Sequence, residues 1–175
     1  ALALAWAAWL PHPAWSDAPP PAPAMLLAEV YAADVDLAQY WVSEKFDGVR
    51  AQWDGRTLRF RGGGSVPAPA WFTAGFPAQP LDGELWIARD RFDALSATVR
   101  KIEPVDAEWR QVRYLVFELP GAAGDFTNRI EQMRQLVAQA KLPWLQTVEQ
   151  TRVADHAALM QRLDAVMRAG GEGLM

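Results

Sequence analysis

Two Asp-Gly steps, Asp47-Gly48 and Asp54-Gly55, fall inside one strand-rich stretch from Tyr40 to Arg61 and limit how it can fold. Asp-Gly is turn chemistry: glycine reaches positive φ without strain, and aspartate bonds to nearby backbone. The apolar run Tyr40-Trp41-Val42 precedes the first step, so Trp41 to Lys45 is predicted as a strand leading into a tight loop. Between the steps, Val49-Arg50-Ala51-Gln52-Trp53 alternates apolar and polar residues as a strand does. Beyond the second, Thr57-Leu58-Arg59-Phe60-Arg61 returns with Leu58 and Phe60 on one face, which predicts a type I′ hairpin. A lysine, a carboxylate and several arginines therefore gather around one hairpin. A lysine at such a turn, beside apolar walls and other cations, loses its proton cheaply and becomes a candidate amine nucleophile. The plain alternative for Lys45 is a solvated side chain.

Composition narrows the chemistry. The chain has 175 residues and no cysteine, which excludes disulfides, thiolate catalysis and cysteine-ligated metal. Its two histidines, His12 and His156, lie far apart, which argues against a serine–histidine triad or a multi-histidine metal site. Lysine, carboxylates and arginine remain. An apolar share of 51% with a formal net charge of -4 describes a globular protein, not a disordered one.

Ala1 to Leu10 is an alanine–leucine–tryptophan run of the length of a secretory apolar region, and too short to span a bilayer. Residues 1–24 are expected to be the remnant of a signal peptide followed by a Pro-rich linker, with 25–175 as the domain proper. An apolar tail is the alternative. Leu26 to Tyr31 is expected as a short apolar element, with Asp34 capping a helical turn through Gln39.

Further along, Arg61-Gly62-Gly63-Gly64-Ser65 allows close approach of backbone to a ligand, and Arg61 suits phosphate or ribose. Trp71 and Phe72 belong to a short apolar helix. In Leu81-Asp82-Gly83-Glu84-Leu85-Trp86-Ile87 two carboxylates interrupt an apolar strand, which is costly unless they are paired or bind a ligand. A turn with both acids solvated is the alternative. Asp90 to Lys101 predicts a helix with Phe92, Leu95 and Val99 along one side, and Val112 to Pro120 the clearest core strand. Asp125 is expected to cap a helix from Phe126 to Ala140, with Ile130, Met133 and Val137 inward. A strand from Trp144 to Thr151 follows. Asp155 opens a helix to Arg168, with Leu159, Leu163 and Val166 inward and Ala169-Gly170-Gly171 ending it. Glu172 to Met175 begins a further strand, expected to continue beyond the sequence.

Taken in order, these motifs resemble the covalent nucleotidyltransferase superfamily, and within it the ATP-dependent DNA ligases. Lys45-Phe46-Asp47-Gly48-Val49-Arg50 resembles the lysine box K-x-D-G-x-R. Arg61-Gly62-Gly63 occupies the place of the S/T-R-x-G box, with Phe60 where a hydroxyl residue is expected. Asp82-Gly83-Glu84, Val116-Phe117-Glu118 and Gly171-Glu172-Gly173 are similar to the boxes that follow, with Glu118 where aspartate is commoner. The later Lys-x-Lys box and the oligonucleotide-binding-fold domain are expected past Met175.

The resemblance implies an α+β fold, an ATP-grasp-like adenylation domain with antiparallel sheets flanked by helices. It implies a DNA ligase of repair, replication or recombination that uses ATP and Mg2+. Lys45 attacks the α-phosphorus, AMP passes to a DNA 5′-phosphate, and the 3′-hydroxyl seals the nick. In that scheme Lys45, Asp47, Arg50 and Glu172 are catalytic, and Glu172 helps to place the metal and the lysine. Glu44, Lys45, Arg50, Arg61, Glu84 and Phe117 hold the nucleotide, Phe117 by stacking on adenine. The implied partner is nicked double-stranded DNA, bound by a monomer without stable membrane association. Compact spacing and the leader resemble the small bacterial ligases of the periplasm, with a cytoplasmic location as the alternative. The net negative charge is compatible with DNA, since Lys45, Arg50, Arg56, Arg59 and Arg61 face only Asp47 and Asp54 in that stretch. An RNA ligase, a capping-type nucleotidyltransferase and an inactive nucleotide-binding fragment share the lysine box.

Overall fold

The computed structural model describes residues 27, 30–32 and 34–175. The expected leader and linker over 1–24 lie outside the described residues, as does part of the element expected over 26–31. In chain order the strands are β1 (Glu44–Lys45), β2 (Val49–Trp53), β3 (Leu58–Phe60), β4 (Leu81–Trp86), β5 (Arg113–Glu118), β6 (Leu145–Thr147) and β7 (Gly173–Leu174). The helices are α1 (Ala70–Thr73), α2 (Phe92–Val99), α3 (Asp106–Trp109), α4 (Phe126–Ala140) and α5 (His156–Arg168).

One sheet runs β3-β2-β4-β5-β6, and β1 and β7 form a separate pair. The expected α+β class and antiparallel pairing hold for β2–β3, β2–β4, β4–β5 and β1–β7. Strand β6 instead joins β5 in parallel, because α4 carries the chain back to the starting end before β6 begins.

Period-two alternation divides the large sheet into two faces. Val49, Ala51, Leu81, Leu85, Tyr114 and Val116 are buried in the core. Their core is unusually aromatic: Phe72 meets the Trp109 ring at 4.7 Å and Phe76 stacks on Tyr114 at 5.8 Å. Full burial of a side chain such as Phe72 contributes about 1.5–3 kcal/mol. Tyr114 is wholly buried, with its hydroxyl 2.9 Å from Ala51 O and 3.2 Å from Leu81 O. This polar tip ties three adjacent strands together.

Caps set the long helices where sequence predicts them. Asp125 accepts from Asn128 N at 2.8 Å and Asp155 from Ala158 N at 2.8 Å. Ile130 and Met133 are buried as expected, whereas on α5 only Leu159 is. Other expectations are corrected. Asp36, not Asp34, caps a short 3-10 turn over Leu37–Gln39. The Asp54-Gly55 step closes a loop over 54–57: Gly55 alone takes positive φ, and Asp54 Oδ1 accepts from Arg56 N and Thr57 N. A type I′ turn needs positive φ at both central residues, so the aspartate's own backbone bonds prevail. Asp90 adopts φ 57°, so α2 starts two residues later, and Phe92 is exposed. The strand expected over Trp41–Lys45 shortens to β1, and that over Trp144–Thr151 to β6. Val42 and Thr151 meet in an isolated bridge. Helix α3 has no counterpart among the sequence expectations; it delivers Trp109 into the core.

Candidate active site

The polar face of the sheet is where cross-strand register concentrates charge. Arg50 pairs with Glu84 and Gln52 with Asp82 across β2 and β4. Directly opposed residues share a face, so all four side chains project together. Asp82 is 2% exposed. A carboxylate that deep needs partners, and it has them. Arg50 donates through Nε at 3.1 Å and Nη2 at 2.7 Å, and Gln52 Nε2 donates at 3.0 Å. This fork holds the Arg50 guanidinium above its ordinary pKa. The same guanidinium lies over the Phe117 ring, 5.2 Å from its centroid. Neither acid of this strand is in a solvated turn.

Glu84 differs from Asp82. Burial pushes its pKa up to about 8; Arg50 pulls it down, while Asp82, Asp47 and Glu172 push it up. A protonated Glu84 carboxyl carries a donor and an acceptor, the pattern that suits a hydroxyl-bearing ligand.

The lysine loop packs onto this face. A Cβ at Gly48 would lie 2.3 Å from Leu85 O and 2.6 Å from Glu84 Cγ, so only glycine lets the loop approach β4 so closely. On the other side of the loop, β1 pairs Glu44 with Leu174 and Lys45 with Gly173. That register sets Lys45 Nζ 2.9 Å from Glu172 Oε1, with about half of each side chain exposed. Glu44 accepts from Arg89 Nη2 at 2.6 Å. Lys45, Asp47, Glu172 and the edge-packed rings of Phe46 and Trp86 border a cavity of about 310 Å³.

Of the residues singled out by sequence, Glu44, Lys45, Asp47 and Glu172 thus meet at the cavity. Arg50, Glu84 and Phe117 meet on the adjoining sheet face. Arg61 lies in the exposed turn after β3, away from the cavity lining. Glu118 is held by Arg129 of α4, through Nε at 2.7 Å and Nη2 at 2.9 Å. Sequence reasoning did not single out Gln52, Trp86 or Arg89. For Gln52 a signal existed: it shares the two-residue period with Arg50.

Among the described residues no three carboxylates or histidines converge on a ready-made metal cage. Glu172 and Asp47, both on the cavity lining, are the carboxylates that would hold Mg2+, which takes one or two protein oxygens and completes its shell with phosphate and water. No described helix is long and apolar enough to cross a membrane.

No protein-family model matches the chain. It is 35% identical over 136 residues to a DNA ligase of Haemophilus influenzae, covering 77% of this chain and 50% of that one. A solved structure of a Lig E DNA ligase superposes with TM-score 0.76 at 40% identity, over 81% of this chain and 56% of its own. Chlorella virus DNA ligase-adenylate superposes with TM-score 0.66 at 15% identity, over 83% of this chain and 57% of its own, which speaks to fold alone. The chain spans about half the length of these relatives.

Proposed function

We propose, from the premise that this chain belongs to the ATP-dependent DNA ligases and is part of their catalytic domain, that Lys45 carries AMP covalently during strand sealing. The observation that carries this reading is the Lys45–Glu172 contact at 2.9 Å, beside a sheet face built of Arg50, Glu84 and Phe117. An ammonium in an ion pair is not a nucleophile. Lys45 therefore leaves the ion pair and gives its proton to the solvent that reaches its half-exposed side chain, and Glu172 stays ionised. The free amine then attacks the α-phosphorus of ATP, a P–N bond forms, and the P–O bond to pyrophosphate breaks. Glu84, protonated near neutrality, donates to or accepts from the ribose hydroxyls. Phe117 offers a ring face to adenine. Arg50, fixed by Asp82, meets ribose or phosphate without having to be ordered by the ligand. Mg2+ near Glu172 supplies charge neutralisation on the phosphates.

AMP then passes to the 5′-phosphate of a nicked DNA duplex, and the 3′-hydroxyl displaces it; Asp47 orients that hydroxyl. The proposal extends to a monomer acting in DNA repair, replication or recombination. Export to the periplasm is supported by the apolar run over 1–10 and by the compact spacing of the motifs. The test is intact-mass spectrometry of the full reading frame after incubation with ATP and Mg2+, with Lys45→Ala alongside. Added AMP on the wild type alone is the expected result. Added AMP on the mutant overturns Lys45 as its carrier, and wild type without added AMP overturns the covalent reading and leaves a nucleotide-binding module.

A further inference from the structure

We infer that Arg89 is a positioning residue for the Lys45 nucleophile, acting through Glu44. The inference rests on the covalent-AMP reading above and adds a residue that none of the recognised boxes contains. Arg89 follows β4 in the loop whose next residue, Asp90, turns through φ 57°. Its Nη2 lies 2.6 Å from Glu44 Oε1, and Glu44 immediately precedes Lys45 on β1.

The contact is confined on its far side as well. A Cβ at Gly171 would lie 3.0 Å from Glu44 Oε1 and 2.5 Å from Val166 Cγ1, and one at Gly170 would lie 3.7 Å from Arg89 Cδ. The Glu44 carboxylate is thus threaded between the arginine and the turn that leads from α5 into Glu172. One ion pair touches all three pieces that set the Lys45–Glu172 distance: the strand bearing the lysine, the turn bearing the glutamate, and the end of β4. Strand β1 is only two residues long and has no place in the large sheet. Its ladder with β7 fixes sliding, and Arg89 fixes its tilt against the body of the domain.

The Arg89 side chain is 37% exposed and that of Glu44 20%, so the pair contributes little to overall stability. Its loss instead misplaces a nucleophile, and misplacement on the order of 1 Å costs up to about 100-fold in rate. The same full-length protein is assayed for the single-turnover rate of lysyl-AMP formation across ATP concentrations. The forms compared are wild type, Arg89→Ala, Arg89→Lys, Glu44→Gln and the Arg89→Ala/Glu44→Gln double variant.

Positioning predicts a fall of about 10- to 100-fold in maximal rate for Arg89→Ala at unchanged half-saturating ATP. The double variant should be no slower than the worse single one, since both break the same contact. Arg89→Lys should regain part of the rate, and melting temperatures should stay within about 3 °C of wild type. A changed half-saturating ATP with unchanged maximal rate would mean that Arg89 binds nucleotide, which overturns the inference. So would additive losses, or a wild-type rate in Arg89→Ala. Absence of AMP on the wild type overturns the functional reading itself, and this inference with it.

Discussion

Asp82 and Lys45 belong to one candidate site but rest on different kinds of support. Asp82 sits mid-sheet on β4, is 2% exposed and is gripped by Arg50 and Gln52. Lys45 sits on a two-residue strand laddered to β7, with 48% of its side chain exposed. Behind β7 stands α5, whose inward face contributes Leu159 alone to the buried set. Many buried contacts hold the first in place and few hold the second, and local opening follows that order. The difference suits a division of labour. In the proposed reaction, a surface that holds nucleotide gains from being fixed before the ligand arrives, whereas a lysine that leaves an ion pair to attack benefits from an element that moves.

Substitutions can break this comparison, and their expected effects on stability descend from sheet to arm. Asp82→Ala strips the Arg50 guanidinium of a buried partner and should cost about 3 kcal/mol in denaturant unfolding. A loss below about 1 kcal/mol would show that the sheet face is not the rigid half. Glu84→Gln should act through pH. The carboxyl's folded-state value of about 8 lies above its ordinary 4.5, so its contribution to stability is complete below pH 4.5 and is lost as pH rises through 8. A neutral amide removes that dependence. The variant should match wild type near pH 4.5 and exceed it by on the order of 3 kcal/mol at pH 8 and above. Parallel melting curves for the two proteins across that range would refute the buried-carboxyl account. Lys45→Ala should change stability least, by under about 0.5 kcal/mol, because it removes one exposed ion pair. A large loss of fold there would mean that the arm is structural.

The contrast also explains what sequence could reveal. The sheet strands announce themselves through period two, α4 and α5 through their aspartate caps and apolar stripes, and the lysine loop through Asp47-Gly48. The acids of β4 were legible as a problem, since charges in an apolar strand demand partners; Asp82 has Arg50 and Gln52, and burial raises the pKa of Glu84 instead. The pairing of Lys45 with Glu172 came only by resemblance, because nothing local links residues so far apart. Arg89 left no trace at all. It lies in a loop and is one exposed charge among many, and only tertiary structure selects Glu44 as its mate. Helix α3 was missed for a related reason: its single turn is too short for an apolar period, and Trp109 is recruited by Phe72 across the core.

The ladder between β1 and β7 has a consequence for the order of events at the ribosome. Strand β1 is synthesised before β2 to β6 and β7 after all of them, with most of the described residues threaded between the two. Closing a loop of that length carries a large entropic penalty that local pairings avoid. Hairpin β2–β3 and helix α4 can form while the chain is still growing, but β1 has no partner until Gly173 and Leu174 are free. The Lys45 amine and the Glu172 carboxylate therefore come together only after every strand of the large sheet has been synthesised, so a nascent chain cannot form the Lys45–Glu172 pair ahead of the sheet face that bears Arg50 and Glu84.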